Sequence, residues 1–324
     1  MSKNRMILLC AMLLALIISF IGGSFIGKQR GIPFVNKKAL WSIGIYMGDS
    51  PFNLSSPAII DNPVLTAKDV TDIRASFVAD PFMVRKNSNW YMFFEVMNVS
   101  SGHGDIGFAV SNDGLNWNYQ QIVLDEPFHL SYPCVFRWKN EYYMIPESAK
   151  AKSIRLYKAT DFPTRWSFVG NLLEGYFIDP SILYYQSKWW IFAQTNRCAT
   201  LSLYYSENLM GPYTEHPKSP IIRGDKNIAR PGGRVLLFGD HMIRYTQDCE
   251  PTYGNQLWAF EINTLTTSEY EEKQVGKNAI LKASGNGWNA DGMHHIDPHW
   301  IAGDNKWIAC VDGYKRTLVF GLQY

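Results

Sequence analysis

One short hairpin pattern recurs five times along this chain and limits what it can fold into. The first copy, residues 77–95, reads FVADPFMVRKNSNWYMFFE: a residue followed by proline, a short apolar strand, a polar turn, and an aromatic strand closing on a polar residue. The distance from the residue before proline to the closing residue is 15 in the copies at 80–95, 132–147, 179–194 and 297–312. In the remaining copy, 230–247, it is 17, and Gly232-Gly233 predicts a local bulge or loop there.

A second recurring segment follows three of these hairpins. Residues 105–117, 153–166 and 201–213 each contain an alternating strand, a turn and an aromatic residue, and a short apolar strand comes next. Every unit therefore supplies about four strands. The prolines of the hairpins, at 81, 133, 180, 231 and 298, lie 52, 47, 51 and 67 residues apart. A period of this size with four strands per unit predicts an all-β fold, a five-bladed β-propeller with four-stranded blades.

The two ends of the repeat region predict how the ring closes. The last unit stops at TLVFGLQY, one strand short of a blade, whereas residues 42–54 and 62–65 resemble the later strands of a blade without its beginning. We expect the N-terminal strands to complete the last blade, because that pairing leaves no open sheet edge. The expected organisation is an anchor and short linker over residues 1–40 and a propeller over 41–324, nearly without helix.

The first residues of the chain have a different character. Residues 6–26 contain no charge over 21 positions, close to the roughly 20 that cross a bilayer as a helix. A cleaved signal sequence usually has a shorter apolar region, so we expect an uncleaved single-pass transmembrane helix, with cleavage near residues 22–24 as the alternative. Positive charges flank both ends. Charge counting alone places the propeller in the cytoplasm, but N-terminal anchors commonly carry a domain outward, so we expect an extracytoplasmic or lumenal propeller.

Composition excludes some classes of partner. The 324 residues are 46% hydrophobic and carry a net charge of +2 with scattered Lys and Arg, so no nucleic acid partner is expected. Cys134 and Cys310 lie in predicted strands and are expected to be buried thiols. A disulfide between Cys198 and Cys249 is an open alternative. No phosphate-binding glycine loop and no Cys-x-x-Cys pair occurs, and we expect no cofactor.

The residues that precede the repeated prolines are candidate functional residues. The first strand of each propeller blade lines the central channel, so these side chains are expected to face the axis. They are Asp80, Tyr132, Asp179, Arg230 and Asp297. Carboxylates gathered around one channel raise one another's pKa, which is typical of a functional site, and the second strands add Glu95 and Glu147. The alternatives are turn chemistry for each Asp-Pro step and hydrogen bonding between blades for the closing residues.

Arginines and histidines near the channel suggest the chemistry of a ligand. Arg230, Arg234 and Arg244 would match an anionic group of a ligand, a carboxylate or a phosphate, or would form salt bridges with channel aspartates. The segment HHIDPH at 294–299 groups potential metal ligands, but its proline interrupts a regular ligand face. We therefore expect no bound metal, and expect His294 or His295 to hydrogen-bond a ligand near Asp297.

At these residues a family resemblance emerges. Blades that begin with Asp-Pro resemble those of the glycoside hydrolase clan that includes families 43, 32 and 62. More closely, WSIGIYMGDSPFNL, FVADPFM, FHLSYPCVF, YYMIPES, ARPGGR and HHIDPHW resemble, in order, the N-terminal domain of plant glucosamine inositolphosphorylceramide transferases and their bacterial relatives, over residues 41–324. In the plant proteins a membrane anchor precedes this domain and a glycosyltransferase domain follows it. We expect no transferase domain here.

The similarity to family 43 implies roles for individual residues. Asp80 matches the general base of that family, and Asp179 matches the aspartate that tunes the acid. The acid itself is a glutamate on the fourth blade, where this chain has Arg230. Hydrolysis normally needs two carboxyl groups, so Glu147 or Glu95 would have to supply the acid. Two hypotheses follow. The first is an inverting, glycosidase-like enzyme acting on a glycan or glycolipid, with Asp80 as base, Asp179 as the tuning residue and Glu147 as acid. The second is a non-catalytic glycan-binding or scaffold domain.

Overall fold

A computed structural model of the chain describes residues 12–14, 35–196 and 199–320. By internal packing the chain divides into the unit Trp41–Lys315, which carries the blades, and a second unit of Met1–Leu40 with Arg316–Tyr324. Residues 12–14 are helical, and the rest of the predicted transmembrane segment, 6–26, lies outside the described residues. Within the described ranges, no helix is long and apolar enough to cross a membrane.

Five sheets, each one blade, account for the described strands. Two strands come first, β1 (Val35–Ser50) and β2 (Asn53–Ser55). Blade 1 contains β3 (Ala75–Lys86), β4 (Asn89–Asn98), β5 (Gly104–Ser111) and β6 (Asn118–Leu124). Blade 2 contains β7 (Ser131–Trp138), β8 (Glu141–Glu147), β9 (Ser153–Asp161) and β10 (Arg165–Glu174). Blade 3 contains β11 (Ile178–Tyr185), β12 (Lys188–Asn196), β13 (Thr200–Ser206), β14 (Thr214–Glu215) and β15 (Ile222–Arg223).

The remaining strands form blades 4 and 5. Blade 4 contains β16 (Arg230–Pro231), β17 (Leu236–Phe238), β18 (His241–Asp248), β19 (Gln256–Leu265), β20 (Tyr270–Gln274) and β21 (Leu281–Lys282). Blade 5 begins with β22 (Ile296–Ile301) and β23 (Lys306–Phe320), and the sheet order β2-β1-β23-β22 shows that the N-terminal strands complete it. The predicted five-bladed propeller and its closure are therefore confirmed. Two short 3-10 turns, Ala149–Ala151 and Gly287–Asn289, are the helical elements described after residue 35.

Burial falls from the inner to the outer strands of each blade. In blade 1 the inner strand β3 has a run of seven buried residues, whereas the outer strand β6 is mostly exposed or half-buried. Inner strands are covered on both faces by the neighbouring blades, and for this reason they read as continuous apolar runs rather than alternating ones. The hydrophobic clusters lie between adjacent blades; one joins Phe82 and Phe93 of blade 1 to Val135 of blade 2 and Ile182 of blade 3.

A β-bulge occurs at the residue before proline in blades 1, 2 and 3. In blade 1, Ala79 pairs with Glu95 and the next pair is Phe82 with Phe93, so the first strand has one extra residue. The same shift follows Ser131 and Ile178. The bulged residues have left-handed backbones, with φ of 54° at Asp80, 46° at Tyr132 and 49° at Asp179. For a non-glycine residue this conformation costs about 1–2 kcal/mol, and strain of this kind is often found at functional sites.

Blade 4 confirms the interruption predicted at its glycine pair. Its first strand is divided between β16 and β17, with Gly232 and Gly233 in the gap. Gly233 has a φ of 150°, and a Cβ there would lie 1.9 Å from the backbone oxygen of Ile296 in blade 5. Its N–H donates to the hydroxyl of Tyr132 in blade 2, at 2.8 Å. Glycine is required at position 233 because the backbone of blade 4 lies there in close contact with blades 2 and 5.

Two of the cysteine expectations can be compared with the structure. Cys134 and Cys310 are buried at 1% and 0% exposure, as predicted, and the Cys310 thiol donates to the backbone oxygen of Pro81 at 2.9 Å. Cys198 lies outside the described residues, so the alternative disulfide with Cys249 stays a prediction.

Candidate functional site

Polar side chains from all five blades gather at one end of the channel. We call this group the channel cluster; its members are Asp80, Glu95, Glu147, Asp179, Gln194, Arg230, Gln247, His294, His295 and Asp312. Its five carboxylates are between 0% and 7% exposed. Buried carboxylates near one another disfavour ionisation, so their protonation states are linked.

Asp80 projects from its bulge toward two histidines of blade 5. Its Oδ1 lies 3.7 Å from His295 Nδ1 and 3.8 Å from His294 Nε2, without a hydrogen bond. Its backbone N–H donates to Asp312 Oδ2 at 2.9 Å, which fixes the bulge. Burial raises the pKa of Asp80 to about 7; His294 opposes the shift, and the charges of Asp179 and Asp312 add to it. The carboxyl group is therefore placed to exchange a proton near neutral pH.

The two histidines differ in their protonation. His294 Nδ1 lies 2.7 Å from Asp312 Oδ1, and its ring stacks on Trp41 at 4.0 Å. Burial lowers the pKa of His294, but Asp312 outweighs burial and the net shift is upward. His295 is fully buried, and neither ring nitrogen has a hydrogen-bond partner among the described residues. Burial lowers the pKa of His295 to about 4. His295 is thus neutral at pH 7.

Asp179 is held by two donors from blade 4. Its Oδ2 accepts from Arg230 Nε at 2.6 Å and from Gln247 Nε2 at 2.8 Å. The Arg230 guanidinium also lies over the ring of Tyr253, 4.8 Å from its centroid. The salt-bridge alternative from the sequence is therefore observed for Arg230. Arg244 is 1% exposed and pairs with Glu272, so it lies outside the channel cluster.

Glu95 and Glu147 face a histidine that the sequence reasoning did not select. His129 Nδ1 accepts the N–H of Gly104 at 2.9 Å, so a neutral ring carries its proton on Nε2. That nitrogen lies 3.7 Å from Glu95 Oε1 and 3.9 Å from Glu147 Oε2. Burial, with Asp179, raises the pKa of Glu147 to about 7, and burial raises that of Glu95 well above its usual range. Both carboxyl groups can hold a proton near neutral pH.

Asp297 and Arg234 form a separate ion pair further along the channel. Both oxygens of Asp297 accept from the Arg234 guanidinium, and one also accepts the N–H of Met83 at 2.6 Å. Arg234 donates in addition to the backbone oxygens of Met83 and Val135, at 3.0 and 3.2 Å. Met83 lies three positions beyond Asp80 on β3, or about 10 Å along a strand. These two predicted substrate-binding residues are thus not brought together with Asp80.

Tyr132 lies on the first strand of blade 2, as predicted, but its hydroxyl already forms hydrogen bonds within the protein. The ring is fully buried, and its hydroxyl lies 2.8 Å from both Ser181 Oγ and the backbone oxygen of Gly233. The hydroxyl thus links blades 2, 3 and 4. Substrate binding by Tyr132 stays a prediction.

Most of the unsatisfied polar atoms in the described part of the chain belong to the channel cluster. In all the described residues, nine buried side-chain nitrogen and oxygen atoms have no hydrogen-bond partner. Seven of the nine belong to five cluster members, Asp80, Asp179, Gln194, Gln247 and His295. Such groups are uncommon in folded proteins and each calls for a ligand or bound water. A molecule with several hydroxyl groups would satisfy donors and acceptors together.

Sequence reasoning missed residues that come from loops rather than from the repeat. His129 precedes β7, and Tyr253, 41% exposed, lies in the loop between β18 and β19. Neither occupies an equivalent position in the five units, so the repeat offers no signal for it. Trp90 and Trp189 of the repeated hairpins are only 4% and 3% exposed and pack in the hydrophobic clusters, which leaves little of either ring to stack on a ligand.

We expect replacement of His129 by alanine to raise the pKa of Glu147 further above its usual value, by about half a unit to one unit. The Nε2–H group favours the ionised form of whichever glutamate it faces, and alanine removes that donor. Carboxyl ¹³C NMR titration of labelled protein measures the shift. Replacement of the exposed His241, which pairs with Glu261, is the control. An unchanged Glu147 titration would show that His129 has no electrostatic influence there.

Comparison with known proteins identifies a family to which this chain is similar over most of its length. The family model described as glucosamine inositolphosphorylceramide transferase 1, N-terminal, matches residues 35–314. The rice (Oryza sativa subsp. japonica) glucosamine inositolphosphorylceramide transferase 1 is 40% identical over 296 residues, covering 84% of this chain and 40% of the rice protein. The Arabidopsis thaliana protein of the same name is 33% identical over 300 residues, covering 86% of this chain and 39% of its own.

A solved structure shares the fold at low sequence identity. An exo-1,5-α-L-arabinanase from a bovine ruminal metagenomic library superposes with a TM-score of 0.54 at 11% identity, covering 75% of this chain and 94% of the arabinanase. At this identity the similarity concerns the propeller fold alone.

Proposed function

Because this chain belongs to the glucosamine inositolphosphorylceramide transferase 1 N-terminal family, we propose that it is a carbohydrate-active propeller that binds and cleaves a glycan or glycoconjugate in the channel cluster. The chain spans about 40% of the length of the curated relatives it matches, and the activity of those whole proteins is no part of the proposal. One observation carries the proposal: the buried, unsatisfied polar atoms that converge around Asp80 and Asp179.

The proposed reaction is hydrolysis with inversion at the anomeric carbon. The carboxylate of Asp80 takes a proton from water, the water oxygen attacks the anomeric carbon, and the glycosidic C–O bond breaks. Glu147 gives its proton to the leaving oxygen. Asp179, held by Arg230 and Gln247, contributes to the raised pKa of Glu147, which an acid needs. With both pKa values raised to about 7, activity should follow a bell-shaped pH profile around neutrality.

The proposed substrate carries hydroxyl groups that hydrogen-bond the unsatisfied atoms. It also carries an anionic group that pairs with the guanidinium of Arg230. Tyr253 offers an exposed ring beside Arg230 on which a sugar face can stack. We further propose that residues 6–26 anchor the chain in a membrane and that the propeller is extracytoplasmic or lumenal, on the strength of the 21 uncharged residues.

A second candidate function is glycan binding without cleavage. The observation in its favour is Arg230, which pairs with Asp179 at the position where the resemblance to family 43 predicts a glutamate acid. A domain of this kind would present a glycan or glycolipid to a separate glycosyltransferase.

One experiment separates the two functions. The purified full chain is screened on a glycan array and against a panel of aryl glycosides, together with the Asp80→Asn and Glu147→Gln variants. Turnover by the wild type that falls in both variants, with binding retained, supports the hydrolase. Saturable binding with no turnover by any form supports the binding domain. Neither binding nor turnover across the panels, or full turnover by Asp80→Asn, would contradict the assigned site.

A further inference from the structure

A second group of potential ligands lies in blade 1, outside the channel cluster. His103, Asp105 and Asp125 each offer one ligand atom, and these three atoms all lie within 4.8 Å of one another. The chain brings them together by simple strand geometry. His103 and Asp105 flank Gly104 at the start of β5, so their side chains share one face. Asp125 directly follows β6, whose Leu124 pairs with Ile106 of β5.

The burial of Asp105 distinguishes this group from an ordinary surface cluster. Asp105 is 1% exposed, and its Oδ2 accepts from Asn98 Nδ2 at 2.9 Å. Its Oδ1 is buried and accepts no hydrogen bond from any residue that the structure describes, although His103 Nδ1 lies 3.3 Å away. A buried carboxylate oxygen without a partner is costly, and the second carboxylate of Asp125 nearby adds like-charge repulsion. A cation between the three side chains would remove both costs.

We propose that His103 Nδ1, Asp105 Oδ1 and a carboxylate oxygen of Asp125 bind one divalent transition-metal ion of the Zn²⁺ or Mn²⁺ type. One imidazole nitrogen with two carboxylate oxygens is a donor set for these ions rather than for Ca²⁺ or Mg²⁺, which prefer oxygen alone. Three protein ligands leave further coordination positions for water. His103 is partly exposed and Asp125 exposed, so an ion can enter from the surface.

The site would act on the channel through a short connection. Gly104, between two of the ligands, donates its N–H to His129 Nδ1, and His129 Nε2 faces Glu95 and Glu147. Fixing the backbone at Gly104 would fix the orientation of the His129 ring. The ion therefore has a structural role at the edge of the candidate site and takes no part in bond breaking.

Binding is tested with the full chain after EDTA dialysis, by calorimetric titration with ZnCl₂ or MnCl₂ and by thermal unfolding with and without each ion. We expect one ion per chain and a rise in Tm with the ion, since an ion that binds only the native state stabilises it. Asp125→Asn and His103→Gln should weaken binding at least tenfold and abolish the rise in Tm. Asp125→Asn changes an exposed side chain, so its effect is separable from misfolding.

Two controls locate the ion. Asp304→Asn alters an exposed carboxylate elsewhere in the chain and should leave binding unchanged. His294→Gln tests the other group with suitable spacing, Asp80, His294 and Asp312 in the channel cluster. Unchanged affinity in Asp125→Asn, loss of binding only in His294→Gln, preference for Ca²⁺ over both transition ions, or no saturable binding would each overturn the proposal.

Discussion

Replacing Arg234 by methionine is expected to destabilise the propeller by about 3–5 kcal/mol, because it leaves the Asp297 carboxylate buried without its partner. Asp297 is fully buried, and Arg234 together with His299 outweighs burial and holds its pKa well below the usual range. The same guanidinium binds backbone oxygens of blades 1 and 2, so the substitution also removes contacts that join blade 4 to those two blades. Urea unfolding at pH 7 measures the loss as a lower midpoint with an unchanged slope.

A second substitution distinguishes the buried charge from lost packing. Adding Asp297→Leu to Arg234→Met removes both charges and should recover most of the stability, as replacement of a whole buried ion pair by apolar side chains often does. Arg137→Met is the control, since the Arg137 guanidinium donates to the side chain of Asn140 in an exposed position, and its loss should cost under about 1 kcal/mol. A double variant as unstable as Arg234→Met alone would show that this ion pair is not the source of the effect.

The ring of blades was predictable because it rests on local pattern. Each unit repeats a hairpin whose two strands pair with each other, and the position of a polar residue at the end of the second strand fixes the register. Closure by the N-terminal strands followed from counting strands at the two ends. Neither step required contacts between distant residues to be known.

The arrangement of the site was predictable only in part, because the bulge changes where equivalent residues point. The sequence treats Asp80, Asp179 and Asp297 alike, since each precedes proline. Asp80 and Asp179 sit on bulges with left-handed backbones, whereas Asp297 pairs in regular register with Cys310. Asp297, which lies in the regular register, therefore binds Arg234 and is not part of the channel cluster. The choice between the two depends on hydrogen bonds from other blades, such as that from the Asp80 N–H to Asp312, and no local pattern encodes those.

The position of Arg230 is compatible with both roles that the sequence suggests for it. An arginine at the fourth blade was either a ligand for an anionic substrate or a salt-bridge partner. Its Nε binds Asp179, while the guanidinium also covers the ring of Tyr253, an exposed residue. One side chain thus holds Asp179 in place and contributes positive charge beside the exposed ring. Both uses are compatible with a carbohydrate that carries a negative group.

The Asp80→Asn variant should lose turnover and gain stability, and the two effects together identify a functional carboxylate. Loss of the proposed general base is expected to lower kcat by about 10²–10⁴-fold. In the folded protein the pKa of Asp80 is raised from 3.8 to about 7, so the native state binds the proton more tightly than the unfolded state does. Stability is therefore lost as pH rises from about 4 to about 7, and the penalty is complete at pH 8.

Asparagine removes that ionisation and also tolerates the left-handed backbone at this position. We therefore expect Asp80→Asn to stabilise the protein by about 1–3 kcal/mol at pH 8 and to have little effect at pH 4. Thermal unfolding at the two pH values measures the difference. Asp113→Asn is a control with the opposite expected effect. Hydrogen bonds from Asn116 and Leu115 outweigh partial burial and lower the pKa of Asp113 to about 2. Loss of this carboxylate should therefore destabilise the protein at pH 8. If Asp80→Asn lowers Tm equally at both pH values, the carboxylate is a structural hydrogen-bond acceptor and not a strained catalytic base.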